Sequence, residues 1–187
     1  MRFLRSSALI AALIVIGLAK AAPAADNSAT SKPVANNHKT FTIAPGPQWE
    51  VRSFPVDLKD KREADVLILS NRPIVADNDA PEVSFYTALS KANLFQFVDA
   101  YVADIRKTSE DPNQSIQIDE YALDGVAART VVSQIRAKSD TVKTFAVICS
   151  REGRIYICKF TCDETRFDQL LPTGKELISS FRWTDSK

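Results

Sequence analysis

Two strand-length runs near the C-terminal end, Lys143–Ser150 (KTFAVICS) and Arg154–Cys162 (RIYICKFTC), are apolar on both of their faces. Successive strand side chains point to opposite sides of a sheet. Phe145, Val147 and Cys149 therefore face one way, and Ala146 and Ile148 the other. In the second run Ile155 and Ile157 oppose Tyr156, Cys158 and Phe160. A sheet with one wet face alternates apolar with polar residues instead. The two runs thus predict a sheet shielded on both flanks by helices or long segments. The Arg151–Gly153 connection supplies Gly153 for the positive φ of a short hairpin.

The chain before them supplies the rest of such a sheet. Ser115–Leu123 and Val126–Ala137 flank Asp124-Gly125, a strong hairpin signal. Four strands joined by short turns, from residue 115 onward, predict an antiparallel meander. Upstream, Thr40–Ala44, Trp49–Pro55, Asp65–Ser70 and Glu82–Ser90 read as extended segments, with Pro45-Gly46-Pro47 as a break. Trp49 reads as a core lid rather than a binding-face aromatic. Asn93–Thr108 is the clearest helix. Asn93 can cap it, and Leu94, Phe97, Val98, Tyr101, Val102 and Ile105 recur at three- and four-residue steps. Asp99 and Asp104 are expected on its other side, with Arg106 and Lys107 favourably placed in the last turn. A closing helix is expected at about Thr173–Phe181, with Pro172 near its start.

The N-terminal stretch reads as a targeting segment. Met1–Arg5 is basic, Ala8–Ala19 is apolar, and small residues lead to Ala24. This matches an export signal cut after Ala24, or else after Ala25, and the apolar run is short for a membrane span. Left uncut, it would be the one expected membrane contact. Asp26–Lys39 is polar and aperiodic and reads as a flexible linker. The expected organisation is a signal at 1–24, a linker at 25–39 and a single domain at 40–187, in a periplasmic or secreted protein. Removing 1–24 leaves 21 basic against 23 acidic residues, a net charge of −2. A near-neutral chain with no basic run argues against nucleic acid as a partner.

Residues able to carry chemistry are few. The single histidine, His38, lies in the expected linker, so no Ser-His-Asp or Cys-His set can be built in the domain. No phosphate loop, CxxC pair or HExxH motif occurs. Asp77, Asn78 and Asp79 place oxygens in a row but lack the spacing of a calcium loop. Asp119 and Glu120 are adjacent on a strand and so face opposite sides. A thiol site at Cys158 would rely on Lys159 or Arg154 to lower its pKa. Cys158 and Cys162, four apart on one strand, are separated by roughly 13 Å, too far for a disulfide. Cys149 is not placed for a bridge either, so free buried thiols are expected. No catalytic set, metal site or cofactor is expected.

The order of motifs resembles the PsbP-like fold, and within it the DcrB-type bacterial branch. The matching stretches are TFTIAPGPQWEV (Thr40–Val51), DVLILSN, FVDAYVADI, DGVAART, GRIYICKFTC and ELISSFRW (Glu176–Trp183). The likeness spans residues 40–184. It implies an α+β fold, an α/β/α sandwich around a central, mainly antiparallel sheet flanked by helices. It also implies an adaptor or binding role in the bacterial envelope, with another envelope protein as partner. The chain departs from the DcrB-type branch in lacking a lipid-attachment cysteine at the signal. The alternatives are a small-molecule or lipid carrier, and an enzyme with an unrecognised carboxylate or thiol site.

Overall fold

The computed structural model describes residues 32–47, 49–57, 63–71, 81–111, 114–137 and 140–184. The chain runs β1 (Val34–Ala35), β2 (Phe41–Ile43), β3 (Trp49–Asp57), β4 (Glu63–Asn71), β5 (Glu82–Leu89), α1 (Leu94–Thr108), β6 (Ile116–Leu123), β7 (Val126–Ala137), β8 (Asp140–Arg151), β9 (Arg154–Asp163), α2 (Glu164–Ser179) and β10 (Arg182–Trp183). The export signal, with its Ala24 cut site, and the Asp77-Asn78-Asp79 run lie outside the described residues. Among the described residues no helix is long and apolar enough to cross a membrane.

Seven strands form one antiparallel sheet in the order β3-β4-β5-β9-β8-β7-β6. The expected meander from residue 115 is its second half. The hairpins at both ends of β6–β9 use adjacent positive-φ residues, Asp124 (46°) with Gly125 (80°) and Glu152 (53°) with Gly153 (72°). Paired positive φ gives a turn whose twist matches that of the strands. The strain in the second hairpin thus falls on Glu152 as well as on the expected Gly153.

Each face of β8 and β9 is buried, as the double apolar pattern requires. On one face Ala146, Ile148, Ile155 and Ile157 pack with Tyr86 and Val131 beneath Phe97, Val98, Tyr101, Val102 and Ile105 of α1. The helix begins at a capping box: the Asn93 side chain accepts from the Gln96 N–H, and Gln96 returns the bond. Asp104 is buried rather than solvent-facing, because it follows Tyr101 by three residues and shares its side of the helix.

The other face carries a mixed layer. Phe145, Val147, Cys149, Tyr156, Cys158 and Phe160 pack against α2 and against Phe41, Ile43 and Phe181. The last three belong to, or adjoin, a small antiparallel sheet in the order β1-β2-β10. The Thr40–Ala44 strand expected from sequence therefore exists but builds this second sheet. Phe41 and Phe181 stack at 4.7 Å between ring centroids.

Two boundaries move. The linker expected over 25–39 ends earlier, since Val34–Ala35 are already paired with β2. The buried Asn36 explains why a polar stretch is ordered: its Oδ1 accepts from the Thr40 N–H (2.8 Å) and the Phe41 N–H (3.1 Å). The closing helix starts at Glu164, not Thr173, with Pro172 inside it. Asp163 caps it, accepting from the Thr165 N–H at 2.8 Å, and Phe167 is buried against Phe160. Pro172 and Asp168, whose carbonyl loses its partner, both lie on the exposed side, where water can replace the bond.

Two stability predictions follow from these contacts. A Cβ on Gly174 would lie 2.5 Å from two ring carbons of the fully buried Phe160. Gly174→Ala should therefore cost about 1–3 kcal/mol of unfolding free energy, outweighing alanine's helix propensity. An unchanged urea midpoint would mean that the ring yields. Asn36→Ala leaves the buried Phe41 N–H and the half-buried Thr40 N–H without their acceptor and should cost about 1–3 kcal/mol, read by the same titration.

Candidate interaction surface

A sheet with two ends has two edges, and here they differ. The β3 edge contains Pro55, which offers no backbone N–H. The β6 edge has no proline, and it pairs residue for residue with β7, from Ile116↔Ser133 to Leu123↔Val126, without a bulge. Leu123 and Val126 flank a two-residue turn and form a hydrogen-bonded pair. Pairs alternate along an antiparallel ladder, so Ile118, Glu120 and Ala122 direct their backbone groups away from β7.

Side chains along this edge are exposed from Gln117 to Glu120. Ile118 is 44% exposed and Phe95, in the first turn of α1, is 61% exposed. The Phe95 ring lies under the Arg129 guanidinium at 5.1 Å, and Arg129 in turn bridges to Glu120 at 3.1 Å. Both α1 and the α1-facing side of β6 and β7 thus contribute to one surface. Asp119 points to the other side of the sheet and accepts from Gln117 at 2.7 Å. Between residues 109 and 128 the chain carries five acids (Glu110, Asp111, Asp119, Glu120, Asp124) and no lysine or arginine. At the turn end of β6, Asp124 is committed to the fold. It accepts from the Trp183 N–H at 2.9 Å and lies 3.9 Å from Arg182.

The other residues singled out by sequence are not brought together. Asp119 and Glu120 do occupy opposite faces, so they cannot act on one atom. Cys149, Cys158 and Cys162 are free and buried. Cys149 lies opposite Tyr156 and Cys158 opposite Val147. Burial pushes the Cys149 thiol up to about 12 and the Cys162 thiol to about 11, and it raises Cys158 well above the usual thiol range. Lys159 faces away from Cys158, with its ammonium 5.3 Å from the Tyr86 ring centre. It therefore does not lower the Cys158 pKa. His38 sits in the turn between β1 and β2. Trp49 is buried in the core. Among the described residues no group of three or more His, Cys, Asp or Glu could hold a metal ion.

Phe95 was not recognised as a surface residue by sequence. Its signal is visible in hindsight: it is the aromatic one position off the apolar stripe of α1. The edge position of β6 had no local signal, because sheet order is set by long-range pairing.

Comparison with solved structures places this architecture. The solution structure of cyanobacterial PsbP (CyanoP) from Synechocystis sp. PCC 6803 superposes with a TM-score of 0.58 at 11% identity, covering 88% of this chain and 99% of that one. The fold is PsbP-like. LpqN, involved in cell envelope biogenesis of Mycobacterium tuberculosis, gives a TM-score of 0.49 at 9% identity, covering 72% of this chain and 92% of that one. No family model matches the sequence, and no curated protein matches it either. The PsbP-like fold expected from the sequence is thus present, with α1 on one flank and α2 plus a small sheet on the other.

The buried thiols give a pH prediction. Thiols in the unfolded chain ionise near pH 8.5, whereas folded Cys149 stays protonated until about 12. The unfolded state therefore binds fewer protons over this window, and stability falls as pH rises through it. Cys149→Ala should flatten that fall by up to about 1.4 kcal/mol per pH unit. Urea titrations under reducing conditions between pH 8 and pH 11 would measure the slope.

Proposed function

We propose that this chain is an exported, non-catalytic binding or accessory protein of the bacterial cell envelope, of the DcrB type, acting in the periplasm on another envelope protein. The observation that carries this reading is the β6 edge, unpaired among the described residues, where Ile118 is exposed and exposed Phe95 is linked to Glu120 through Arg129. A strand edge with outward backbone groups and exposed apolar side chains on and near it is the arrangement that strand addition uses. The signal-like N-terminus supports export. The protonated, buried thiols and the separated Asp119 and Glu120 favour binding over catalysis. At Gly174 the helix α2 lies directly on the Phe160 ring, which weighs against a ligand carried at that point.

The test is photocrosslinking in the native host, with a benzophenone amino acid replacing Phe95 and, as control, the exposed Glu176 of α2. A discrete adduct with an envelope protein from position 95, absent from position 176, is the expected result. Equal labelling from both positions, or none from position 95, would defeat the reading.

A further inference from the structure

The β6 edge also carries information about what it would accept. Natural sheets protect long edges with lysine, proline, bulges or short strands. β6 has none of these, since it runs from Ile116 to Leu123 in unbroken register. Among the described residues its protection is the Asp119-Glu120 doublet at its centre. Carboxylates repel a second acidic strand and attract a cationic one.

From this we infer that β6 receives an extended segment of a partner protein, added antiparallel at the sheet edge, in which two basic residues precede an apolar one. The inference rests on the docking reading above and names the chemistry of the partner. The register follows from the pairing rules. An antiparallel strand meets Glu120, Asp119 and Ile118 in its own N-to-C order. A base opposite Glu120 lies on the α1 side of the sheet, where Arg129 already engages that carboxylate. A base opposite Asp119 lies on the other side. An apolar residue opposite Ile118 covers a side chain that is 44% exposed. The outward backbone groups of Ile118, Glu120 and Ala122 supply the ladder bonds.

A second copy of this chain is the poorer occupant. Antiparallel self-pairing centred on the doublet sets Asp119 against Asp119, or Asp119 against Glu120, of the other copy. Like charges directly opposed across a ladder are destabilising. The doublet's carboxylates thus oppose pairing with a second copy while they favour a cationic partner.

The experiment uses the full chain and two fluorescent peptides that differ only at the charged positions, Thr-Val-Thr-Arg-Lys-Val-Thr-Val and Thr-Val-Thr-Glu-Asp-Val-Thr-Val. Anisotropy at low salt should show the basic peptide binding about tenfold or more tightly. The preference should shrink as salt is raised. Asp119→Lys combined with Glu120→Gln should reverse the preference. Ala122→Pro removes an outward N–H yet leaves both acids and Ile118 in place; it should weaken the basic peptide severalfold. Thermal melts establish that each variant is folded. Equal affinity for the two peptides, no binding of either, or a preference untouched in the doublet variant would overturn the inference. So would dimerisation through β6 in sedimentation that the doublet variant does not strengthen. An envelope adduct from position 95 that persists in any of these cases would leave the docking reading intact and remove only the cationic strand.

Discussion

Burial of β8 and β9 on both sides is the condition that the rest of the structure meets. Val147, Ile148 and Phe160 are fully buried, and neighbouring strand residues point alternately into two separate cores. Each such side chain gains roughly 1.5–3 kcal/mol on leaving water, so neither flank can be left bare. The strand order then dictates how one cover is made. β5 lies next to β9, whereas β6 lies three places further along at the edge. The connection between β5 and β6 must cross the intervening strands, and α1 is that crossing. Its apolar stripe faces Val131, Ala146 and Ile148 as it passes.

The second flank is covered differently. α2 leaves directly from β9 at the Asp163 cap, and its first half is held by Phe167 against Phe160. The remaining area is filled from the two ends of the described chain. Phe41 of β2 stacks on Phe181 and lies 5.8 Å from Phe85. Trp183 meets Tyr156 edge-on at 4.8 Å and takes the Arg151 guanidinium on its face at 4.7 Å. The Thr184 N–H donates to the Thr40 carbonyl at 3.1 Å. A small sheet of short strands has little cohesion alone. It is ordered here because its aromatic residues complete a core that the large sheet has already begun.

These two covers explain what could be read from the sequence. Period-two burial in β8 and β9, the helical stripe of α1 and both short hairpins are local patterns, and each was legible. Sheet membership was not. Three alternating residues at Phe41–Ile43 announce a strand but not its neighbours. Asn36 looked like part of a solvated linker because composition does not reveal that one buried side chain will satisfy two backbone N–H groups. Pro172 suggested a helix start, yet tertiary packing of Phe167 and a good cap at Asp163 prevailed over that local preference. Asp104 was misplaced by a stripe drawn too narrowly. At the candidate surface the acidic doublet and its opposite-facing geometry were legible. Its place at an open edge, next to Phe95, depended on the fold.

The same division of labour bears on why function would sit at an edge. Both faces of β8 and β9 are committed to packing, and Gly174 shows how closely one cover is pressed down. Opening a pocket there would remove contacts on which the layers depend, at a cost that grows with the cavity. An edge strand carries no such burden: Ile118, Asp119 and Glu120 are exposed, and their replacement leaves both cores intact. Evolution can therefore vary recognition along β6 without disturbing the fold. The two edges also need not be treated alike. Pro55 withholds a donor on β3 irrespective of the partner, whereas carboxylates on β6 discriminate by charge. A steric or hydrogen-bonding block closes an edge to every strand, but an electrostatic one closes it only to strands of the same sign. Protection of that second kind is compatible with binding, and it is found at the edge beside which an aromatic ring is left exposed.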